Sequence, residues 1–145
     1  MLDIKYKSLD TYIDSRGELT EIVRSDWYKD MPIKQVYMTS CLPGVVKAWH
    51  RHSKQTDRMV CIKGIMKFAF ADDDGNSQDI VVRANRPVLI EIPPNIWHGF
   101  KNIGGEEALV VNCPNQLYNY EDPDEIRESP DSEAINYDWY EPVDG

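Results

Sequence analysis

The sequence predicts a small all-β domain, an antiparallel sandwich or barrel, on three observations. Short runs rich in β-branched and aromatic residues recur about every ten residues, and clusters of Gly, Pro, Asn and Asp separate them. Before residue 120 no segment sustains helical spacing for three turns. The 145 residues, 41% hydrophobic and 28% charged, suit a single core and leave little room for a second.

The elements follow in order. Strands are expected at Leu19 to Arg24, Lys34 to Thr39 and Val45 to His50, the last opened by the turn Pro43-Gly44. Asp57 to Ile62 and Ile65 to Ala71 flank Lys63-Gly64, and Asp74-Gly75-Asn76 turns the chain into Asp79 to Val82. Val88 to Ile92, Pro93-Pro94-Asn95, His98 to Asn102, Gly104-Gly105 and Ala108 to Asn112 complete the series. Met66, Phe68 and Phe70 alternate with Ile65, Lys67 and Ala69, so this strand is read as buried on most of both faces. The acidic run from Asp72 is a hairpin turn rather than a calcium loop, because Ser77 and Arg83 stand where such a loop needs Gly and Glu. Of Trp49, Trp97, Phe68 and Phe100, one at most is expected to serve as a stacking platform, the rest being core.

The net charge of -9 resides entirely in residues 121–145, where ten acids face the single base Arg127. The first 120 residues are neutral and lack the basic stripe that nucleic-acid binding needs. The longest apolar runs, Val88 to Ile90 and Ala108 to Val111, fall far short of the roughly 20 residues of a membrane helix. The N-terminus lacks the h-region of a signal peptide, so the expected compartment is the cytoplasm. Cys41, Cys61 and Cys113 form no C-x-x-C pair and read as small core residues. The chain divides into a barrel over residues 1–120 and an acidic extension over 121–145. Ile135, Tyr137, Trp139 and Tyr140 should hold the extension against the barrel or a partner subunit, and Asp122 to Arg127 could begin a helical turn.

The three histidines carry the chemistry. Gly44, His50, His52, Asp57 and Gly64 form G-x5-H-x-H-x4-D-x6-G, and Pro93, Asn95, His98 and Asn102 form P-x-N-x-x-H-x3-N. These runs resemble the two motifs of the cupin superfamily, with Asp and Asn where Glu and Gly are usual; the resemblance implies a double-stranded β-helix, or jelly roll. On a strand His50 and His52 share a face and Arg51 points away. Asp57 on an antiparallel neighbour and His98 on a later strand would complete a three-histidine, one-carboxylate site suited to a divalent transition metal.

A closer resemblance rests on Asp14-Ser15-Arg16-Gly17-Glu18-Leu19-Thr20-Glu21, Gln35, Gly44 to His50, Ile92 to Phe100, and Ile135 to Trp139. These are similar to the dTDP-4-dehydrorhamnose 3,5-epimerase family in a shortened form. Such enzymes remove a proton beside the ketone of a nucleotide-linked 4-keto sugar and return it to the other face, in polysaccharide or lipopolysaccharide synthesis. The resemblance implies His50 as base and Tyr118 or Tyr120 as acid. Those two tyrosines would point the same way if they lay on a strand. It further implies substrate contacts at Arg16, Glu21, Gln35, Lys47 and His98, no cofactor, and a homodimer that exchanges an N-terminal strand. Two positions depart from the family. Asp57 stands where its lysine stabilises the enolate, and its late aspartate, which orients the histidine, would lie beyond Trp139, where Asp144 is a poor substitute.

A second resemblance, to the nucleotide-sugar 3,4-ketoisomerases, rests on Gln35-Val36-Tyr37, Gly44 to His52, Val60 to Gly64 and Asp73-Asp74-Gly75. It implies His50, His52 and Tyr37 as the catalytic set. A metal-dependent cupin using His50, His52, Asp57 and His98 is the third reading, in which a divalent ion would supply the missing cation at the carbonyl.

Overall fold

Strand alternation sends one set of side chains between two sheets and the other outward, and this places the site. The structure, a computed structural model, describes residues 2–28, 30 and 32–141. Its strands are β1 (Lys5–Ser8), β2 (Thr11–Asp14), β3 (Gly17–Thr20), β4 (Tyr37–Cys41), β5 (Val46–Arg51) and β6 (Asp57–Lys63). They continue with β7 (Ile65–Ala71), β8 (Ser77–Arg83), β9 (Val88–Ile92), β10 (Trp97–Asn102), β11 (Ala108–Asn112) and β12 (Ile126–Arg127). Two five-stranded antiparallel sheets, ordered β1-β9-β6-β11-β4 and β12-β5-β10-β7-β8, face each other as a cupin jelly roll. Met59, Cys61, Ile90, Ile92 and Val110 from the first sheet pack on Met66, Phe68, Phe70 and Phe100 from the second.

The outer face of the second sheet is covered by the C-terminal segment, which acts as a strap. Ile135 and Trp139 are buried with Trp49, Ala69, Ala71 and Trp97, and the Trp49 and Trp139 rings lie 5.1 Å apart. Lys67 is buried here with its ammonium 5.5 Å from the Tyr137 ring and 5.9 Å from the Trp139 ring, so a cation on a core strand is sheltered by aromatic faces. Lys101 Nζ donates to the Trp139 carbonyl at 3.2 Å, and the Tyr137 hydroxyl donates to Asp79 at 2.7 Å. Tyr140 stays exposed.

Several boundaries differ from the sequence expectation. Two strands, β1 and β2, precede the first one expected. The lysines Lys5 and Lys7 that disguise β1 suit an edge strand, which β1 is. Strand β3 stops at Thr20; beyond it Arg24 pairs with Glu21 and Asp26, and a 3-10 turn follows at Ser25–Trp27. Asp122 to Arg127 forms no helical turn. The Asp124 carboxylate binds backbone amides of another loop, and Ile126–Arg127 pair with Arg51 and His50 of β5. Strands β5 and β6 lie in opposite sheets, so Asp57 meets the histidines across the barrel interior and not from an adjacent strand.

One irregularity aims the site. His98 pairs with His50 while Phe100 pairs with Lys47, so β5 holds an extra residue opposite β10. This bulge lets Lys47 and His50, three positions apart, both face the interior, with Trp49 turned outward. Gly99 lies against it: a Cβ there would sit 2.4 Å from Ala48 Cβ and 2.8 Å from the Lys47 carbonyl oxygen. Gly99→Ala should therefore cost about 1–3 kcal/mol of stability by overpacking. Denaturant unfolding checks it, and a midpoint equal to that of the wild type would show that the two strands can separate without loss.

Candidate active site

Two cavities that share lining residues lie at the end of the barrel where β5, β6 and β10 bring the histidines together. The inner one, about 240 Å3, is lined by Tyr37, Lys47, His50, His52, Asp57, His98, Phe100 and Asn112. The outer one, about 340 Å3, holds Gln35, Leu117, Tyr118, Tyr120 and Arg127. Tyr37, His52 and Glu125 line both.

Asp57, 1% exposed, is the inner hub. Its Oδ1 accepts Gln55 Nε2 at 2.6 Å and Asn112 Nδ2 at 2.9 Å, and its Oδ2 lies 3.2 Å from His52 Nε2 and 3.0 Å from His98 Nε2. Burial opposes its ionisation, yet His52 and His98 hold the carboxyl well below the usual carboxylate range. Burial likewise works against a charged His52. The Asp57 carboxylate, helped by the Asp124 carbonyl and by Glu125, overcomes it and holds that imidazole at about 9. His52 Nδ1 faces the Asp124 carbonyl and His98 Nδ1 faces that of Ile96, at 3.0 Å. A carbonyl only accepts, so both Nδ1 atoms carry protons and both Nε2 atoms turn to one carboxylate oxygen.

That arrangement also fits a metal. His52, Asp57 and His98 offer ligand atoms within 4.8 Å of one another, and Nδ1–H anchored on a carbonyl is the outer-shell support that metal-bound imidazoles receive. His50 does not belong to this group, so the four-ligand set expected from the sequence reduces to three. His50 Nδ1 instead lies 2.9 Å from Glu125 Oε1. Burial and the neighbouring His98 lower its pKa and outweigh Glu125, leaving the imidazole neutral at pH 7. Across the cavity the Tyr37 hydroxyl accepts from Asn112 Nδ2 at 2.7 Å. Burial and the charge of Asp57 push its phenol up to about 12, so it keeps its proton.

The remaining expected residues are distributed as follows. Lys47 faces the inner cavity and donates to the Ser40 carbonyl at 2.6 Å. Gln35 accepts the Tyr118 backbone amide at 2.9 Å in the outer cavity. Tyr118 and Tyr120 lie in a loop and not on a strand, their rings edge-to-face at 5.1 Å, and neither lines the inner cavity. Arg16 sits at the tip of the β2–β3 hairpin, paired with Asp14 at 2.6 Å beside a separate cavity of about 250 Å3. Glu21 pairs with Arg24. Within one chain neither Arg16 nor Glu21 reaches the histidines, and Asp144 lies outside the described residues. Phe100 is the one of the four aromatics that lines the inner cavity; Trp49, Phe68 and Trp97 are core.

Sequence reasoning missed Glu125 and its neighbour Asp124. Asp124 accepts the amides of Ser53, Lys54 and Gln55 at 2.8, 2.9 and 3.2 Å and the Ser53 hydroxyl at 2.6 Å. It thereby ties segment 122–127 to the loop after His52. Burial raises its pKa, but these bonds outweigh it and bring the carboxyl to about 2. A depressed carboxylate stabilises the fold above its unfolded value, near 4, and the contribution disappears as pH falls toward 2. Stability of the wild type should therefore drop over that window more steeply than that of Asp124→Asn. Equal slopes in acid titrations followed by denaturant unfolding would refute the latch.

The sequence profile described as "Polysaccharide biosynthesis C-terminal domain" matches residues 12–126. The probable low-salt glycan biosynthesis epimerase Agl13 of Haloferax volcanii is 40% identical, with 99% of this chain and 97% of the relative covered. The spore coat polysaccharide biosynthesis protein SpsL of Bacillus subtilis is 30% identical over 96% of this chain and 97% of its own length. Among solved structures, a dTDP sugar isomerase from Desulfovibrio desulfuricans superposes with a TM-score of 0.88 at 24% identity, covering 97% of this chain and 93% of that one.

Proposed function

Because the chain belongs to the polysaccharide biosynthesis C-terminal domain family and is 40% identical to a probable glycan biosynthesis epimerase, we propose that it is an isomerase that epimerises a nucleotide-diphospho-4-keto-sugar by proton abstraction beside the ketone. The observation that carries this reading is His50, its Nδ1 2.9 Å from Glu125 Oε1, on the wall of a sugar-sized cavity that Tyr37 also lines. The inner cavity is smaller than the roughly 300–1,000 Å3 that drug-sized ligands occupy, so it takes the sugar ring while the nucleotide remains in the outer one.

His50 Nε2 takes the proton from the carbon next to the ketone, and the electron pair moves to the carbonyl oxygen. Lys47 and the charged His52 stabilise the resulting enolate, supplying the positive charge absent at Asp57. Asp57 therefore serves as counter-ion to His52 and need not repel the enolate. Tyr37 returns a proton to the other face. These steps need no cofactor. A divalent ion on His52, Asp57 and His98, when bound, would polarise the same carbonyl.

The test is exchange of sugar protons for deuterium in a panel of 4-keto nucleotide sugars, followed by NMR. Inversion at the exchanged carbon is expected, and a panel with no exchange would refute the reading. The convergence of His50, His52 and Tyr37 on one cavity also favours 3,4-ketoisomerisation, which passes through an enediol and would appear as a shifted ketone.

The quaternary reading is a homodimer acting in the cytoplasm. The β2–β3 hairpin joins neither large sheet yet exposes Tyr12, Ile13 and Leu19, and the edge strand β4 exposes Met38 beside Val36. A monomer mass by light scattering would overturn it.

A further inference from the structure

Glu125 faces two ways. Its Oε1 lies 2.9 Å from His50 Nδ1, while its Oε2 accepts Arg127 Nε at 3.1 Å and Nη2 at 2.9 Å. The Arg127 side chain is 71% exposed and lines the outer cavity, where it is the only arginine or lysine among the described residues. The cations that family resemblance assigns to substrate phosphates lie elsewhere in this chain: Arg16 on the hairpin, Lys47 in the inner cavity. An anion entering the outer cavity therefore meets one permanent cation, and it lies one carboxylate away from the base.

We propose that Arg127 binds the diphosphate of the nucleotide sugar, and that Glu125, which joins Arg127 to His50, makes diphosphate capture and orientation of the base a single event. The inference rests on the nucleotide-sugar reading above and assigns the diphosphate to a residue the family pattern does not supply. Guanidinium geometry permits both bonds at once. Two of five N–H donors are engaged by Glu125, and those of Nη1 with the second of Nη2 remain for phosphate oxygens. Backbone pairing of Arg127 with His50 fixes the two residues opposite each other on β12 and β5. The local acids do not cancel the attraction, because Asp124 directs its carboxylate into the amides of Ser53 to Gln55 and Glu125 is already paired on both oxygens. Binding energy from the unreactive end of the substrate is thus used to hold His50 in its reacting geometry.

The experiment compares wild type, Arg127→Ala, Arg127→Lys and Glu125→Gln by calorimetric binding of UDP and dTDP and by kcat and KM for the sugar that exchanges. Arg127→Ala should weaken nucleotide diphosphate binding by about tenfold or more and lower kcat as well. Arg127→Lys should recover binding without full kcat, since an ammonium lacks the fork that grips two acceptors. Glu125→Gln should leave diphosphate binding within about threefold while kcat falls at least about tenfold. Unchanged diphosphate binding by Arg127→Ala, or a Glu125→Gln kcat within twofold or so of wild type, would overturn the proposal. A wild type that binds UDP or dTDP through Arg127 but exchanges no sugar proton would support the Arg127 site and refute enolisation.

Discussion

His50→Asn should lower the rate of sugar-proton exchange by about 10²–10⁴-fold, the range that a positioned acid–base group contributes, with little change in unfolding midpoint. Its side chain is 32% exposed and its contact is one carboxylate, so the fold loses little. The same variant should still bind nucleotide diphosphates, because Arg127 and the outer cavity are untouched. Proton exchange by NMR in deuterated buffer, beside a thermal melt, checks both halves. Exchange within a few-fold of wild type would remove His50 as the base.

Asp57→Asn should have the largest structural effect of any single-site change in the inner cavity. Two imidazoles and two amides converge on this carboxylate, and replacing it leaves buried charge uncompensated on His52. Removing one partner of a buried pair costs about 3–5 kcal/mol, so the variant should unfold at clearly lower denaturant and lose turnover with it. Elemental analysis, on protein prepared without a His-tag or metal column, adds a second readout. About one equivalent of transition metal per wild-type chain, reduced in the variant, would make Asp57 a ligand. Unchanged metal content would exclude it, and unchanged stability would show that His52 carries no charge.

Much of this was legible in the sequence because the motif spacing encodes topology. A histidine pair two apart, a carboxylate five later and a third histidine on a later strand are enough to bring His52, Asp57 and His98 to one point. Three things were hidden. The inward turn of Lys47 depends on a bulge, and a bulge breaks the alternation from which facing is inferred. The pairing of Glu125 with His50 joins chain positions separated by strands β6 to β11, and one acid among ten in the extension carries no local mark of its role. The expected helical turn at Asp122 to Arg127 failed because the early acids that favour a helix N-terminus found better amides, those of Ser53 to Gln55, elsewhere. The separation of Tyr118 and Tyr120 from the inner cavity followed from a loop, where strand parity does not apply.

The groups facing the Nδ1 atoms of His50 and His52 come from positions more than 70 residues later, with the Asp124 carbonyl 72 residues beyond His52. During synthesis on the ribosome both barrel sheets except β12 can emerge while His50 still lacks Glu125 and the loop after His52 lacks its tie. Chains interrupted before Glu125 would carry every histidine and most of the barrel, and under the proposed mechanism they should show no turnover. Under the proposed mechanism the acidic extension is therefore the part of the polypeptide whose arrival completes the site.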